Sequence, residues 1–147
     1  MTDTFDRVPR HTSEDINRRI QEEIRRTVRH YAQRRNEIPV RLRELKQEWD
    51  IERAIEANAS ALALTGTALG ATQDRRWLIL PVLVTAFLFQ HAIQGWCPPV
   101  PILRRLGFRT AHEIEQERTA LMALRGDFDQ IAGAQDKPGA ALAAVEL

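Results

Sequence analysis

The sequence predicts an all-α fold: a membrane helical hairpin of two transmembrane helices, with amphipathic cytoplasmic helices at both ends. Three observations lead to this prediction. Residues 77–96 contain no charged side chain, and a helix of that length extends about 30 Å, the thickness of a bilayer's hydrocarbon core. Residues 59–71 are uncharged and mostly small or apolar. Charged segments with apolar residues at helical spacing flank this central region.

Composition narrows the range of partners. The chain has 147 residues, enough for one modest domain with appendages, and a net charge of +1. Neither end has the one-sided basic excess that nucleic-acid binding favours. The polar residues 1–15 do not resemble a secretory signal peptide, so the central apolar segment is expected to act as its own insertion signal. A single cysteine excludes an intrachain disulfide.

Residues 1–48 are predicted to form a charged N-terminal amphipathic helical region. Residues 1–12 are polar and predicted to be disordered, and a helix is predicted to begin at Thr12 or Ser13. Proline predicts a break at residues 36–38. The apolar stripe of the first helix consists of Ile16, Ile20, Ile24, Val28 and Tyr31.

Residues 49–110 are predicted to form the two-span transmembrane hairpin. A single long helix over residues 39–71 is expected, because this stretch contains no internal proline and its first glycine comes late. Its charged first half would precede the membrane and its apolar second half would enter it. Residues 72–76 would form a tight turn, and the helix over residues 77–96 would return until three prolines stop it.

Tryptophans and flanking charges predict the orientation of this hairpin. Trp49 and Trp96 are expected at the inner membrane interface and Trp77 at the outer one, because indole rings favour the headgroup region. In a soluble helical bundle, the three would instead be core residues. More basic residues flank the two apolar helices on the side of the chain termini than lie in the turn between them, which predicts that both termini are in the cytoplasm. Those on the side of the termini are Arg41, Arg43, Lys46, Arg53, Arg104, Arg105 and Arg109, and those in the turn are Arg75 and Arg76.

Residues 111–147 are predicted to form a C-terminal amphipathic helix and a flexible tail. Thr110 and Glu113 have the spacing of a capping box, which predicts the start of the helix. The apolar side of the helix would contain Ile114, Leu121 and Leu124, and the tail would begin near Gly126.

The end of the second apolar helix has a recognisable pattern. Gly95–Pro98 reads Gly-Trp-Cys-Pro, and Leu106–Thr110 reads Leu-Gly-Phe-Arg-Thr. Over roughly residues 50–110 the chain resembles the YgaP-like two-helix inner-membrane domain family of bacteria, which occurs alone or C-terminal to a rhodanese domain. The resemblance implies a self-associating hairpin in the bacterial inner membrane, and its rhodanese-bearing members suggest sulfur transfer or thiocyanate export.

A pair of glycines marks one face of the first apolar helix. Gly66 and Gly70 form a GxxxG pattern with Thr67 between them. Such a strip lets another helix approach closely, and threonine hydroxyls can add interhelical hydrogen bonds. The strip therefore predicts a helix-packing interface. It would join two chains in a homodimer or pack against the second helix of the same chain.

Polar side chains are expected to cluster in the inner half of the membrane. An ionisable group at that depth is a functional-site hypothesis by default. The alternatives are that these side chains reach out to the interface or simply hold the two helices together. The predicted cluster contains Glu56, Asn58, Gln90, His91 and Gln94.

Cys97 is the one thiol and a candidate redox or persulfide-carrying site. Nearby arginines favour a thiolate, whereas the C-terminal end of a helix disfavours one. A structural role at the end of the helix is the alternative.

The function predicted from these features is a non-enzymatic membrane scaffold or interaction module. Its partners would be membrane lipid, a second copy of the chain and a soluble cytoplasmic protein. The alternatives are a thiol- or sulfur-handling accessory that uses Cys97 and a small-solute conduit formed by an oligomer. No complete catalytic constellation, metal-ligand spacing or cofactor motif is present, so no metal or cofactor is expected.

Overall fold

A computed structural model describes residues 7–145, and within that range the chain is all-helical, without a strand. This confirms the predicted all-α class. Two short 3-10 turns, Arg35–Glu37 and Arg75–Leu78, connect helices. The α-helices are α1 (Arg7–Arg10), α2 (Glu14–Ala32), α3 (Ile38–Gln47), α4 (Ile51–Thr72), α5 (Ile79–Gln94), α6 (Val100–Arg105), α7 (Ala111–Arg125) and α8 (Lys137–Val145).

The chain forms two compact units. The first contains residues 7–20 and 49–112, and the second contains residues 21–48 and 113–145. In the first unit, α4 and α5 pack against each other as a helical hairpin. We call the end where α4 begins and α5 ends its open end. The core of this unit lies there and consists of Val8, Ile51, Ala54, Ile55, Cys97, Val100 and Leu103.

The second unit has a core of its own, built from α3 and α7. Leu121 is fully buried in it, and Tyr31 and Phe128 pack against its edge. This arrangement uses the apolar side predicted for α7, and it adds an apolar side of α3 that was not predicted, in which residues three and four apart share one face. The core consists of Ile38, Leu42, Leu45, Ile114, Leu121 and Met122.

The N-terminal amphipathic helix is confirmed as α2, which begins at Glu14. Ile20 and Ile24 on its apolar stripe are each 3% exposed, while the arginines on the other face of the helix, among them Arg19 and Arg26, are exposed. The predicted break over residues 36–38 is also confirmed, since the 3-10 turn separates α2 from α3 and a proline occupies the first turn of α3.

The single helix predicted over residues 39–71 is wrong, because the chain breaks between α3 and α4. Glu48 is extended, and Asp50 caps α4 by accepting a 2.7 Å hydrogen bond from the backbone N–H of Arg53. An N-cap carboxylate satisfies a backbone donor that a continuous helix would bond internally. The backbone N–H of Ile51 donates instead to the carbonyl of Arg109 at 2.8 Å.

Both predicted disordered ends contain helices. Val8 in α1 is 4% exposed, so this part of residues 1–12 is anchored; residues 1–6 lie outside the described residues. In the predicted tail, Asp136 accepts a 3.1 Å hydrogen bond from the N–H of Gly139 at the start of α8. Side-chain capping explains this short helix. The prolines after α5 do not end it, because Gly95 already does so with a φ of 76°.

One helical segment of the described residues is long and apolar enough to cross a membrane. It is Arg75–Gln94, which joins the second 3-10 turn to α5. In α5, all of whose residues are described, His91 is the one buried residue, so its apolar side chains are exposed or half-buried. The first turns of α4 contain charged residues and the remainder is rich in alanine, threonine and glycine, which lowers its hydropathy.

Candidate functional site

A polar cavity of the first unit lies at the open end of the hairpin. Its volume is about 420 Å³, and its polar lining comes from Arg7, Glu52, Glu56 and His91. We call it the polar cavity. Two of these residues, Glu56 and His91, belong to the predicted intramembrane cluster. The structure therefore brings part of that cluster together and adds two charged groups to it.

Each polar residue of the cavity is positioned by its local structure. Glu52 and Glu56 are four residues apart on α4, so they share a face. His91 lies in the last turn of α5. Gly95 lets α1 approach, because a side chain there would collide with the Arg7 backbone. The Arg7 guanidinium consequently reaches the end of α5, where it donates a hydrogen bond to the carbonyl of Ala92.

Two buried polar atoms of this cavity have no hydrogen-bond partner among the described residues. They are Oε2 of Glu52 and Nδ1 of His91. His91 is 9% exposed, and Glu52 is half-buried. A buried polar atom without a partner carries a desolvation penalty of about 1–3 kcal/mol. Both residues line the polar cavity, so a ligand group that enters it can supply the missing partner once the two side chains turn towards it.

The other members of the predicted cluster lie elsewhere in the first unit. Asn58 donates a 2.8 Å hydrogen bond to the carbonyl of Ala54 on its own helix. Gln90 and Gln94 bond to each other at 3.4 Å in an exposed position on α5. Their amides are satisfied locally, so these three side chains do not contribute to the polar cavity.

Sequence reasoning missed Arg7 and Glu52. The spacing of Glu52 and Glu56 was a usable signal, because residues four apart share a helical face. Arg7 had no such signal: it meets Ala92 across 85 residues of sequence.

The glycine strip packs within the chain. A Cβ atom built on Gly66 would lie 2.6 Å from Cδ of Pro81, and one on Gly70 would lie 2.6 Å from Cδ2 of Leu78. Gly66 is therefore required for the close approach of α4 and α5, whereas at Gly70 the contact is with a flexible side chain of the 3-10 turn. Thr67 is exposed, and its hydroxyl donates to the carbonyl of Ala63 on its own helix at 2.8 Å.

Cys97 lies in a different, apolar environment. It is 6% exposed and lines a second cavity of about 250 Å³ together with Leu62, Phe87 and Pro98. Burial raises the pKa of the Cys97 thiol above its ordinary value. A buried, protonated thiol is a poor nucleophile. This environment favours the structural role of Cys97 over the redox role.

We expect Cys97 to react at least about tenfold more slowly with a soluble thiol reagent in the folded chain than in the denatured chain. A raised pKa favours the protonated form, so the thiolate, and with it the reaction, appears at higher pH in the folded protein. The measurement is the labelling rate across a pH series. Cys97→Ser with Gln130→Cys supplies an exposed thiol as the control. A folded rate equal to the denatured rate would instead indicate an accessible, activated cysteine.

The three tryptophans lie at the two ends of the hairpin. Trp49 precedes α4 and Trp96 follows α5, so both are at the open end, whereas Trp77 lies in the 3-10 turn at the closed end. Trp49 is 47% exposed, and the Arg53 guanidinium stacks over its ring at 4.4 Å. The three rings therefore lie at two levels separated by about the length of α5.

Comparison with protein-family models, curated proteins and solved structures finds no match for the chain. Within residues 7–145, no group of three His, Cys, Asp or Glu side chains is arranged to hold a metal ion. The hairpin and the cavity at its open end are therefore the features of the chain that indicate a function.

Proposed function

We propose that this chain is a small membrane protein, a non-enzymatic interaction module that its α4–α5 hairpin holds in a lipid bilayer. The observation that carries the proposal is the surface of α5. One half of this helix packs on α4, and the other half is equally apolar yet exposed. A helix that is apolar all round belongs in a protein core or in a membrane. The exposed side chains of α5 are Ile79, Val82, Leu83, Phe87, Phe89 and Ile93.

In this proposed arrangement, α4 is the second membrane-spanning helix. Its charged residues are confined to its first two turns, and residues 57–72 have none. Leu62 and Leu64 on α4 are 50% and 73% exposed, so this helix too presents apolar side chains outward. Because α4 packs along α5, insertion of one helix brings the other to the same depth. Of the small residues of α4, Gly66 and Gly70 are buried against the rest of the hairpin, and the exposed alanines and threonines would face lipid.

Both termini are proposed to lie on the cytoplasmic side. The open end of the hairpin then meets the inner interface, with Trp49 and Trp96 at headgroup depth. The Arg53 side chain at this end is exposed and adds positive charge where anionic lipid attracts it. The bacterial inner membrane is the location that the YgaP-like resemblance implies.

The interaction role is proposed for the second unit. Its helices α3 and α7 bury apolar side chains against each other and present charged residues such as Arg43, Glu44 and Glu115 outward, a surface suited to a soluble protein partner. A homo-oligomer stays a prediction. The Gly66–Gly70 strip is not proposed as its interface, because residues of the same chain already occupy the strip: Leu80 and Pro81 at Gly66, and Leu78 at Gly70.

Alkaline carbonate extraction tests membrane insertion. We expect the full chain to stay in the membrane pellet. The double variant Leu83→Lys and Phe89→Lys should shift towards the supernatant, because insertion of each lysine near the bilayer centre costs about 2.5–3.5 kcal/mol. Lysines at Val40 and Leu142, which are similarly exposed outside the hairpin, are the matched control and should leave the chain in the pellet. Release of the unmodified chain would contradict the proposal.

A further inference from the structure

The polar cavity has the lining of a binding site for a positively charged group. Glu52 and Glu56 bring two carboxylates to it, and Arg7 brings one guanidinium. Arg7 lies close enough to Glu52 and His91 to act on both electrostatically, and Glu56 acts on His91. With a neutral imidazole, the excess charge of this lining is negative. An anion would meet two carboxylates at close range.

The atoms without partners specify the ligand further. Oε2 of Glu52 is an acceptor, and Nδ1 of His91 is an acceptor when the imidazole proton is on Nε2. We propose that the polar cavity binds a primary ammonium group, towards which the Glu52 and His91 side chains turn so that its N–H donors satisfy these two atoms, while Glu56 adds charge at the edge. A primary ammonium carries three donors in a compact volume.

A quaternary ammonium fits this cavity poorly. It has no N–H to donate, and proteins recognise it through cages of aromatic rings. The apolar wall consists of Val8, Leu88 and Ala92, and none of the described residues that line the cavity is Phe, Tyr or Trp. The cavity should therefore distinguish an ethanolamine headgroup from a choline headgroup.

The position of the cavity indicates where the ammonium comes from. Glu52 is in the first turn of α4 and His91 in the last turn of α5, level with the tryptophans of the open end. If the hairpin spans a bilayer, as proposed above, this level is that of the lipid headgroups. An aminophospholipid then presents its ammonium to the cavity directly. A soluble amine would supply the same chemistry from the aqueous phase.

Native mass spectrometry of the full chain in detergent micelles tests this inference without requiring a bilayer. Phosphatidylethanolamine and phosphatidylcholine with identical acyl chains are added in equal amounts. We expect about tenfold or greater preferential retention of phosphatidylethanolamine, as lost charge-assisted hydrogen bonds would give. Glu52→Gln should abolish the preference, because it exchanges a carboxylate for an amide of the same size. Glu22→Gln, an exposed carboxylate on α2, is the matched control and should keep the preference.

Each outcome decides between the alternatives. Equal retention of the two lipids, or an unchanged preference in Glu52→Gln, would overturn the site. Competition by ethanolamine but not by choline would support ammonium recognition. Binding of ethanolamine without any retention of phosphatidylethanolamine would support the ammonium site and overturn the lipid source. Release of the chain by carbonate would contradict membrane insertion alone, since the micelle measurement remains readable.

Discussion

Gly66→Leu is expected to destabilise the hairpin by about 3 kcal/mol, the upper part of the range for overpacking a close-packed contact. Even the first carbon of a side chain at this position would lie 2.6 Å from Cδ of Pro81 and 3.0 Å from Cβ of Leu80. A proline ring and a Cβ atom cannot turn away without moving their backbone. The two helices must therefore separate locally, and the melting temperature in detergent should fall by roughly 6–12 °C.

Substitutions at two other glycines serve as comparisons for Gly66→Leu. At Gly70 a new Cβ would meet mainly the side chain of Leu78, which can rotate, so Gly70→Ala should be nearly neutral once the gain in helix propensity is included. Gly133 has nothing within 4 Å of a Cβ, so Gly133→Leu is the matched control and should leave the melting temperature unchanged. Equal effects at all three positions would argue against close packing at Gly66.

The same variant separates packing within the chain from packing between chains. If the strip holds only α4 and α5 together, Gly66→Leu lowers the melting temperature and leaves the molecular mass in solution unchanged. If the strip also joined two copies, the mass would fall. Sedimentation equilibrium in the same detergent measures this directly. A loss of mass would restore the homodimer prediction on this interface.

The elements that the sequence predicted correctly are those with a long local pattern. The stripe of α2 repeats over five apolar residues, and the uncharged stretch that contains α5 is longer still. Such periodicity determines which face must be buried, whatever the rest of the chain does. The break before α4 has only one local signal, the capping hydrogen bond from the N–H of Arg53 to Asp50, because its other hydrogen bond, from Ile51 to Arg109, joins residues far apart in sequence. A single capping residue is a much weaker signal than a periodic stripe.

The exposure of the basic residues after α5 could not be predicted from the sequence. Sequence reasoning counted Arg104 and Arg109 among the cytoplasmic charges that orient the hairpin. They are 1% and 7% exposed, and Nη2 of Arg104 donates to Oδ1 of Asn17 at 2.9 Å. A buried arginine that bonds within the protein does not interact with the lipid surface as a free charge would. Composition alone cannot distinguish a buried arginine from an exposed one.

The polar cavity was only half predictable for a related reason. Helical spacing and depth in the membrane indicated Glu56 and His91, but Arg7 comes from a segment predicted to be disordered. Its position depends on Gly95, whose missing side chain admits the backbone of α1. Contacts between residues far apart in sequence depend on how the elements pack, so no local pattern in the sequence predicts them.

The second large effect is expected at a buried ion pair of the second unit. Nε of Arg41 donates to Oε1 of Glu117 at 2.8 Å, and Nη1 donates to Oε2 of Glu44 at 3.0 Å. Glu117 is 1% exposed, and the Arg41 side chain is 23% exposed. Burial acts to lower the pKa of Arg41, but the hydrogen bonds to Glu117 and Glu44 raise it overall. Arg41 therefore stays charged, and Glu117 keeps a cationic donor.

Arg41→Met should lower the free energy of unfolding by about 3 kcal/mol, because it removes a charged donor from a carboxylate that stays buried. Denaturant unfolding followed by circular dichroism measures the loss. The matched control is Arg18→Met, whose ion pair with Asp15 is 64% and 79% exposed and should be worth less than about 1 kcal/mol. Similar losses in the two variants would show that burial of Glu117 does not matter.

A double variant identifies the origin of the loss. If Arg41→Met is harmful because Glu117 keeps its charge in a buried position, then Glu117→Met in the same chain removes that charge and should recover part of the stability. The double variant is then more stable than Arg41→Met alone, and the cycle gives a coupling energy above about 1 kcal/mol. If the two losses simply add, the stability comes from the packing of the arginine stem, and the ion pair contributes little of its own.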